Sequence, residues 1–261
     1  MALEFQVLAS GSKGNAIYVA SASTALLVDA GLSAKEIVRR MEGSGLRPQR
    51  LAAVLISHEH SDHIRGVGAL SRRFDLPVYL TQATLENLPS QLGELAGAHI
   101  IQSGRTFSVG DLTVHPFALS HDAADPVGYI VEHNGCRLAV CTDCGTATQL
   151  VRTRLQECHG LIVEANHDVD RLIHGPYAWH LKQRIRSRHG HLSNEECCDL
   201  LQHVHHRNLQ VVIMAHLSEI NNDPQLVQDT LQQRLHGEPW HHVRFLVAAQ
   251  DHATPLCELT P

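Results

Sequence analysis

The stretch Ile56-Ser57-His58-Glu59-His60-Ser61-Asp62-His63 crowds three imidazoles and two carboxylates directly after the apolar run Leu51 to Ile56. In an extended segment alternate side chains share a face, so His58 and His60 converge on one point while the chain turns into a helix. Asp62 and His63, at the start of that helix, then face a second point. Neutral imidazole and carboxylate are ligands for zinc, manganese or iron, and clustering them without an ion leaves buried polar groups unpaired. Two other motifs fail on inspection. A metalloprotease HExxH needs histidine where Asp62 stands, and a zinc deaminase needs proline before its CxxC, which Cys141-Thr142-Asp143-Cys144 lacks. Cys141 and Cys144 could form a zinc pair, but without a second CxxC they read as small packing residues. The chain has 21 histidines, so a lone one says little; His203, His205 and His206 read as a solvated helix face.

The elements that must position this cluster are short. Strands are expected at 5–9, 17–20, 25–28, 54–56, 78–80, 112–119, 128–131 and 138–141, from their Val, Ile, Leu and Tyr content and the Gly, Asn, Ser and Pro between them. His133-Asn134-Gly135 is a hairpin signal. Helices are expected at 34–42, 62–73, 146–157, 177–187, 194–206 and 224–235, the fifth opened by the capping box Ser193-Asn194-Glu195-Glu196. Later strands, at 161–163, 211–214 and 243–248, alternate with helices. This predicts a mixed α/β layout with packed sheets inside and helices outside, in one domain spanning residues 1–261.

Composition limits the function classes. The 43% hydrophobic and 18% charged content is that of a soluble globular protein, and no apolar stretch approaches the roughly 20 residues of a membrane helix. The N-terminal residues do not read as a signal peptide, and the seven cysteines are odd in number and irregularly spaced, so a cytoplasmic protein with reduced thiols is expected. A net charge of −6 argues against a strongly basic nucleic-acid binder. One local exception exists: from Arg171 to His191 there is no acidic residue, while Arg171, Lys182, Arg184, Arg186 and Arg188 are present. That stripe could track a nucleic-acid backbone, with Tyr177 or Trp179 as a stacking surface, or be a solvated helix. The loop Ser10-Gly11-Ser12-Lys13-Gly14-Asn15 lacks the GKS ending of a Walker loop. It could present backbone N–H groups to a phosphate, or be a tight turn.

The HxHxDH motif after a strand, Asp29 at the end of an earlier strand, Ser120-His121, Thr142-Asp143 and Ala215-His216-Leu217-Ser218 together resemble the metallo-β-lactamase superfamily over nearly the whole chain. The resemblance implies an αββα sandwich of two mixed β-sheets flanked by helices, holding two divalent metal ions at its edge. It assigns His58, His60 and His121 to the first metal and Asp62, His63 and His216 to the second, with Asp143 bridging; Asp29 orients a ligand imidazole, and Asp62 also counts as catalytic. Zinc and manganese both suit such a site, and iron is possible. Two metals about 3.5 to 4 Å apart generate hydroxide at neutral pH and stabilise attacking and leaving oxygens.

Superfamily members cleave β-lactams, thioesters and phosphodiesters, so the fold leaves the substrate open. The all His/Asp ligand set departs from the lactamases. In phosphodiesterase branches, such as ribonuclease Z and the PhnP-type enzymes, an extra histidine protonates the leaving oxygen; here His191 and Glu164 stand where such a pair is expected. The Ser10–Asn15 loop, Asn166-His167-Asp168, Gly175-Pro176-Tyr177, Leu181-Lys182, Gly190-His191-Leu192-Ser193-Asn194 and Asn221-Asn222 resemble the bacterial YycJ (WalJ)-type subgroup. That resemblance implies a 5′-to-3′ DNA exonuclease with a link to mismatch repair, in which the metal-held hydroxide attacks phosphorus and His191 protonates the leaving group. Ser12, Asn15, His167, Lys182 and Arg184 are then expected to contact substrate. A thioester or lactone hydrolase is the competing enzyme reading, and a non-catalytic, metal-stabilised nucleic-acid-binding protein the reading from another class.

Overall fold

The computed structural model describes residues 2–261. Two sheets face each other across a common core. The first contains β1 (Leu3–Ala9), β2 (Ala16–Ala20), β3 (Ala25–Val28), β4 (Leu51–Leu55), β5 (Pro77–Thr81), β6 (Gly97–Ile101) and the last strand, β14 (Cys257–Leu259), in the order β14-β1-β2-β3-β4-β5-β6. The second contains β7 (Phe107–Val109), β8 (Leu112–Ala118), β9 (Val127–His133), β10 (Cys136–Cys141), β11 (Gly160–Glu164), β12 (Val211–Ala215) and β13 (Arg244–Val247), in reverse order. Each sheet is half antiparallel and half parallel: pairing turns parallel from β3 to β6 in the first and from β10 to β13 in the second. Ligands of open α/β sheets lie beyond the carboxyl ends of such parallel strands.

Strand alternation builds this layering. Leu26 and Val28 of β3 point between the sheets with Ala53 and Leu55 of β4, while Ala25, Leu27 and Val54 face outward. On the second sheet Leu138 and Val140 point inward, whereas Ala139 and Cys141 face the outer layer. The outer face of the first sheet is covered by α1 (Ala34–Gly43) and α3 (Val67–Phe74). That of the second is covered by α5 (Gln149–Leu155), α8 (Asn194–Val204) and α9 (Pro224–Arg234). The capping box of α8 is formed on both sides, and the hairpin turn has Asn134 and Gly135 at φ 49° and 83°, the left-handed pair that a two-residue turn requires. All seven cysteines are free and buried. Cys141 and Cys144 sit in the outer core, which supports packing over metal binding.

The structure departs from the expected elements in three ways. The strands β6, β7 and β14 were not anticipated, because edge and near-edge strands need no continuous apolar run; three of the five β6 residues are exposed. Two short helices, α4 (Gln82–Glu86) and α6 (Val169–His174), were also missed. The helix expected over 62–73 is broken into α2 (Ser61–Ile64) and α3. At the break the Gly66 amide donates to the Ala30 carbonyl (2.7 Å), and Ala30 in turn donates to the His63 carbonyl (2.7 Å), so tertiary bonds to the β3 exit override helix continuation.

That exit is packed to backbone contact. A Cβ on Gly31 would lie 1.6 Å from the Asp62 carbonyl oxygen and 2.6 Å from the Asn15 nitrogen. Gly31→Ala is therefore expected to force apart the 2.8 Å bond from the Asn15 amide to that carbonyl. The expected loss is about 2 kcal/mol or more of unfolding free energy, read by denaturant melts.

Candidate metal centre and acid site

Three site residues share a backbone signature. Asp29 follows β3, Asp143 follows β10 by one residue and His216 follows β12, and all adopt left-handed φ values of 61°, 57° and 56°. Outside glycine this region costs about 1–2 kcal/mol per residue and persists only where its surroundings over-determine it. Each sharp exit turns a side chain toward the gap between the sheet edges. The sheets are pinned there: the buried Tyr129 hydroxyl donates to the Ile56 carbonyl (2.6 Å), and the Val127 amide to that of Ser57 (3.0 Å).

Two groups of donor atoms result. His58 Nε2 lies 3.0 Å from His60 Nδ1, which lies 3.3 Å from His121 Nε2. A tetrahedral ion with bonds of about 2.0–2.1 Å holds its ligand atoms about 3.3–3.4 Å apart. Beside them, Asp62 Oδ2 lies 3.5 Å from His63 Nε2 and 3.4 Å from His216 Nε2. Asp143 stands between the groups, with Oδ2 3.2 Å from His63 Nε2 and Oδ1 3.7 Å from His121 Nε2. Asp143 Oδ2 is a buried carboxylate oxygen without a hydrogen-bond partner, which fits a site built to hold cations.

The outer nitrogens of the histidines are held so that the inner ones point at these centres. Asp29 Oδ2 accepts from His63 Nδ1 (2.7 Å), Glu164 Oε1 from His216 Nδ1 (2.9 Å), and the Gly190 carbonyl from His121 Nδ1 (3.1 Å). His58 Nδ1 meets the Ser57 hydroxyl at 2.9 Å, and that hydroxyl donates to Asp29. Such outer contacts fix tautomer and ring orientation in metal sites. The charge balance points the same way. Burial alone would push His63 and His216 down, yet Asp29, Asp143 and Asp62 around the first, and Asp143, Asp62 and Glu164 around the second, raise both well above the ordinary histidine range. Burial, with His63 beside it, lowers His58 well below that range, and burial also lowers His121. Burial would raise Asp143, but His216 and His63 hold it well below the carboxylate range. Buried carboxylates here demand positive charge, and divalent ions meet that demand while leaving the imidazoles neutral.

Next to this cluster, Glu164 is fully buried and saturated. Its Oε1 accepts from His191 Nδ1 (2.8 Å) as well as from His216, and its Oε2 accepts from the Cys144 and Leu192 amides (both 3.0 Å). Burial would raise its carboxyl, but the His191 charge and the two imidazole bonds lower it to about 2. Burial opposes the charge on His191 too, and Glu164 outweighs it, so that His191 is raised. Glu164 thus ties a candidate ligand and a candidate acid to one carboxylate. His191 also borders a cleft of roughly 200 Å³ lined in part by Ser12, Tyr177, Leu181, Ile185 and Ser218.

Several residues expected to contact substrate are engaged within the protein. Asn15 is buried, and its side chain is engaged with Ser10 and Gly11 and lies 3.2 Å from His63 Nε2, so it organises the loop and the site rather than meeting substrate. The amides of Gly11, Lys13, Gly14 and Asn15 all donate within the protein, so the loop is a tight turn and not a phosphate cradle; Ser12 is exposed at the cleft. Lys182 Nζ donates to the Ile173 and Gly175 carbonyls, both at 2.7 Å, and clamps that turn. Arg184, on the cleft, pairs with Asp122 from outside the basic stripe. His167 is buried with Nδ1 unpartnered, and burial lowers it to about 4, so it is neutral.

Positioning residues outside the expected set also appear. Glu59 accepts from the Ala124 amide (2.7 Å), which ties the His121 loop to the HxHxDH segment, and the Ser10 hydroxyl accepts from the His216 amide (2.8 Å). Ser57 and Gly190 hold the His58 and His121 imidazoles as described. Their only sequence signal was adjacency to the motifs, since hydrogen bonds across sheets leave no local pattern.

The chain belongs to the beta-lactamase superfamily: the pattern of the Beta-lactamase superfamily domain matches residues 24–216. Within it, the chain is 36% identical to the Exodeoxyribonuclease WalJ of Streptococcus pneumoniae, over 98% of both chains. It is 37% identical to the Exodeoxyribonuclease YycJ of Bacillus anthracis, over 90% of both. In fold it is similar to the metallo-beta-lactamase fold protein YhfI from Bacillus subtilis, with a TM-score of 0.72 at 15% identity, covering 97% of this chain and 99% of that one. The family and the αββα fold expected from the motifs are upheld. Among the described residues no helix is long and apolar enough to cross a membrane.

Proposed function

We propose that this chain is a dinuclear metal-dependent phosphodiesterase that removes nucleotides from DNA in the 5′-to-3′ direction. The observation that carries this reading is the Glu164–His191 pair set against the His/Asp cluster, supported by the likeness to WalJ and YycJ over nearly the whole chain. His58, His60 and His121 would hold one ion and Asp62, His63 and His216 the other, with Asp143 serving both groups. Zinc or manganese suits this donor set, and iron is compatible. When bound, the ions supply an activated water and charge stabilisation for the reacting phosphate.

The chain's own residues do the rest. Asp29 and Glu164 hold His63 and His216 in register, and Asp143 and Asp62 balance the ionic charge. Glu164 fixes the proton of His191 on Nδ1, which leaves Nε2 to hold and deliver a proton to the departing oxygen. An alkoxide leaving group needs that proton near neutral pH, whereas a thiolate does not. The pair therefore favours a phosphodiester over a thioester, and the complete ligand set favours catalysis over a purely structural metal. The site and both sheets act as one domain, placed in the cytoplasm, with DNA as substrate and DNA-repair proteins as partners.

The test is a panel of 5′-phosphorylated single- and double-stranded DNA, RNA, bis(p-nitrophenyl) phosphate and a thioester, each given to the metal-loaded protein. DNA turnover that exceeds the others is expected. Thioester turnover alone would remove the reading.

A further inference from the structure

The cleft beside His191 has a use that the metal chemistry does not assign. His191 separates it from the ligand cluster, and the cleft wall is tied to that histidine: the Ile185 carbonyl accepts from the His191 amide (2.9 Å). Gly190 is packed into the same junction, where a Cβ would lie 2.1 Å from the Ile185 oxygen. The cleft lining combines an aromatic and aliphatic part, Tyr177, Leu181 and Ile185, with the hydroxyls of Ser12 and Ser218, Asn166 and the paired Asp122 and Arg184. A lining that joins an aromatic ring and apolar side chains to hydroxyl and amide groups suits a nucleoside, whose base is flat and apolar on its faces and polar at its edge. At roughly 200 Å³ the cleft lies below the roughly 300–1,000 Å³ of pockets for drug-sized ligands, so it fits one such unit and not a length of strand.

The reaction fixes which unit. In removal from the 5′ end, water oxygen bonds to the phosphorus between the first and second nucleotides and the bond from that phosphorus to the first O3′ breaks. Water loses one proton and the O3′ gains one, giving a 5′-mononucleotide with a free 3′ hydroxyl and a strand with a new 5′ phosphate. The group that protonates the O3′ stands beside the first nucleotide, and His191, the candidate for that group, itself lines the cleft. We propose that this cleft receives the 5′-terminal nucleoside of the strand, its base against Tyr177, Leu181 and Ile185, so that nucleotides leave one at a time. This rests on the nuclease reading above.

Ile185→Trp, which fills the cleft, and Tyr177→Ala, which removes its aromatic wall, test it in the metal-loaded full chain. The wild type is expected to release mononucleotides as first products and to bind 5′-dAMP in equilibrium dialysis. Ile185→Trp should weaken 5′-dAMP binding at least tenfold and lower the ratio of DNA to bis(p-nitrophenyl) phosphate turnover at least tenfold. Tyr177→Ala should raise the KM for DNA about fivefold or more, the loss of one base-stacking contact, with a smaller change in kcat. DNA degraded with unchanged ratio and unchanged 5′-dAMP binding in both variants, or dinucleotides and longer pieces as first products, would overturn the cleft assignment alone. DNA left intact by the loaded wild type overturns the nuclease reading, and this one with it.

Discussion

Asp143→Ala is expected to lower turnover about a thousandfold or more and to reduce bound metal below that of the wild type. Among the described residues Asp143 is the carboxylate that faces both groups of donors, with Oδ2 toward His63 and Oδ1 toward His121. Ions in such sites contribute several kcal/mol of charge stabilisation, at 1.36 kcal/mol per factor of ten in rate. The left-handed backbone adds a check. Alanine at φ 57° is strained, whereas asparagine tolerates that region and keeps the shape without the charge. Asp143→Asn should therefore melt closer to the wild type than Asp143→Ala while sharing its loss of activity. Equal activity of Asp143→Asn and wild type would remove the carboxylate from the site.

The second large effect concerns His191. His191→Ala is expected to keep its metals and to lose between about 10² and 10⁴ in kcat on DNA, the usual range for a positioned general acid. The loss should shrink sharply for bis(p-nitrophenyl) phosphate, whose leaving group needs no proton. A loss that is equal across leaving groups would mean that His191 only supports structure. Glu164→Gln separates the two duties of that carboxylate. It weakens the hold on His216 as well as on His191, so metal affinity should fall roughly 10- to 100-fold in addition to the loss in kcat. Metal analysis after dialysis distinguishes it from His191→Ala.

These residues differ in how visible they are in the chain itself. The candidate ligands stand out because each follows an apolar strand, and strand ends are where a sheet delivers side chains to a shared edge. His58 to His63 form a compact motif, and His121, Asp143 and His216 each end such a run. The core strands were equally plain, since β3, β4, β10 and β12 are buried on both faces and read as near-continuous apolar runs. What was hidden depends on distant partners. The break after Ile64 comes from Gly66 bonding to Ala30, and the turns around Asn15 and Lys182 consume groups that look free in a sequence. A basic stripe read from charge alone could not reveal that Asp122 neutralises Arg184 or that Lys182 binds two carbonyls. Edge strands such as β6 lacked a pattern because they pack on one side only.

The most direct measurement follows bound metal and nucleotide release together while chelator-treated protein is titrated with manganese or zinc. The account predicts no release from 5′-phosphorylated DNA without metal, and activity that climbs to a plateau at two ions per chain, with 5′-mononucleotides as product. Full release by the metal-free protein, or a fully loaded protein that leaves DNA intact and hydrolyses only thioesters, would contradict it.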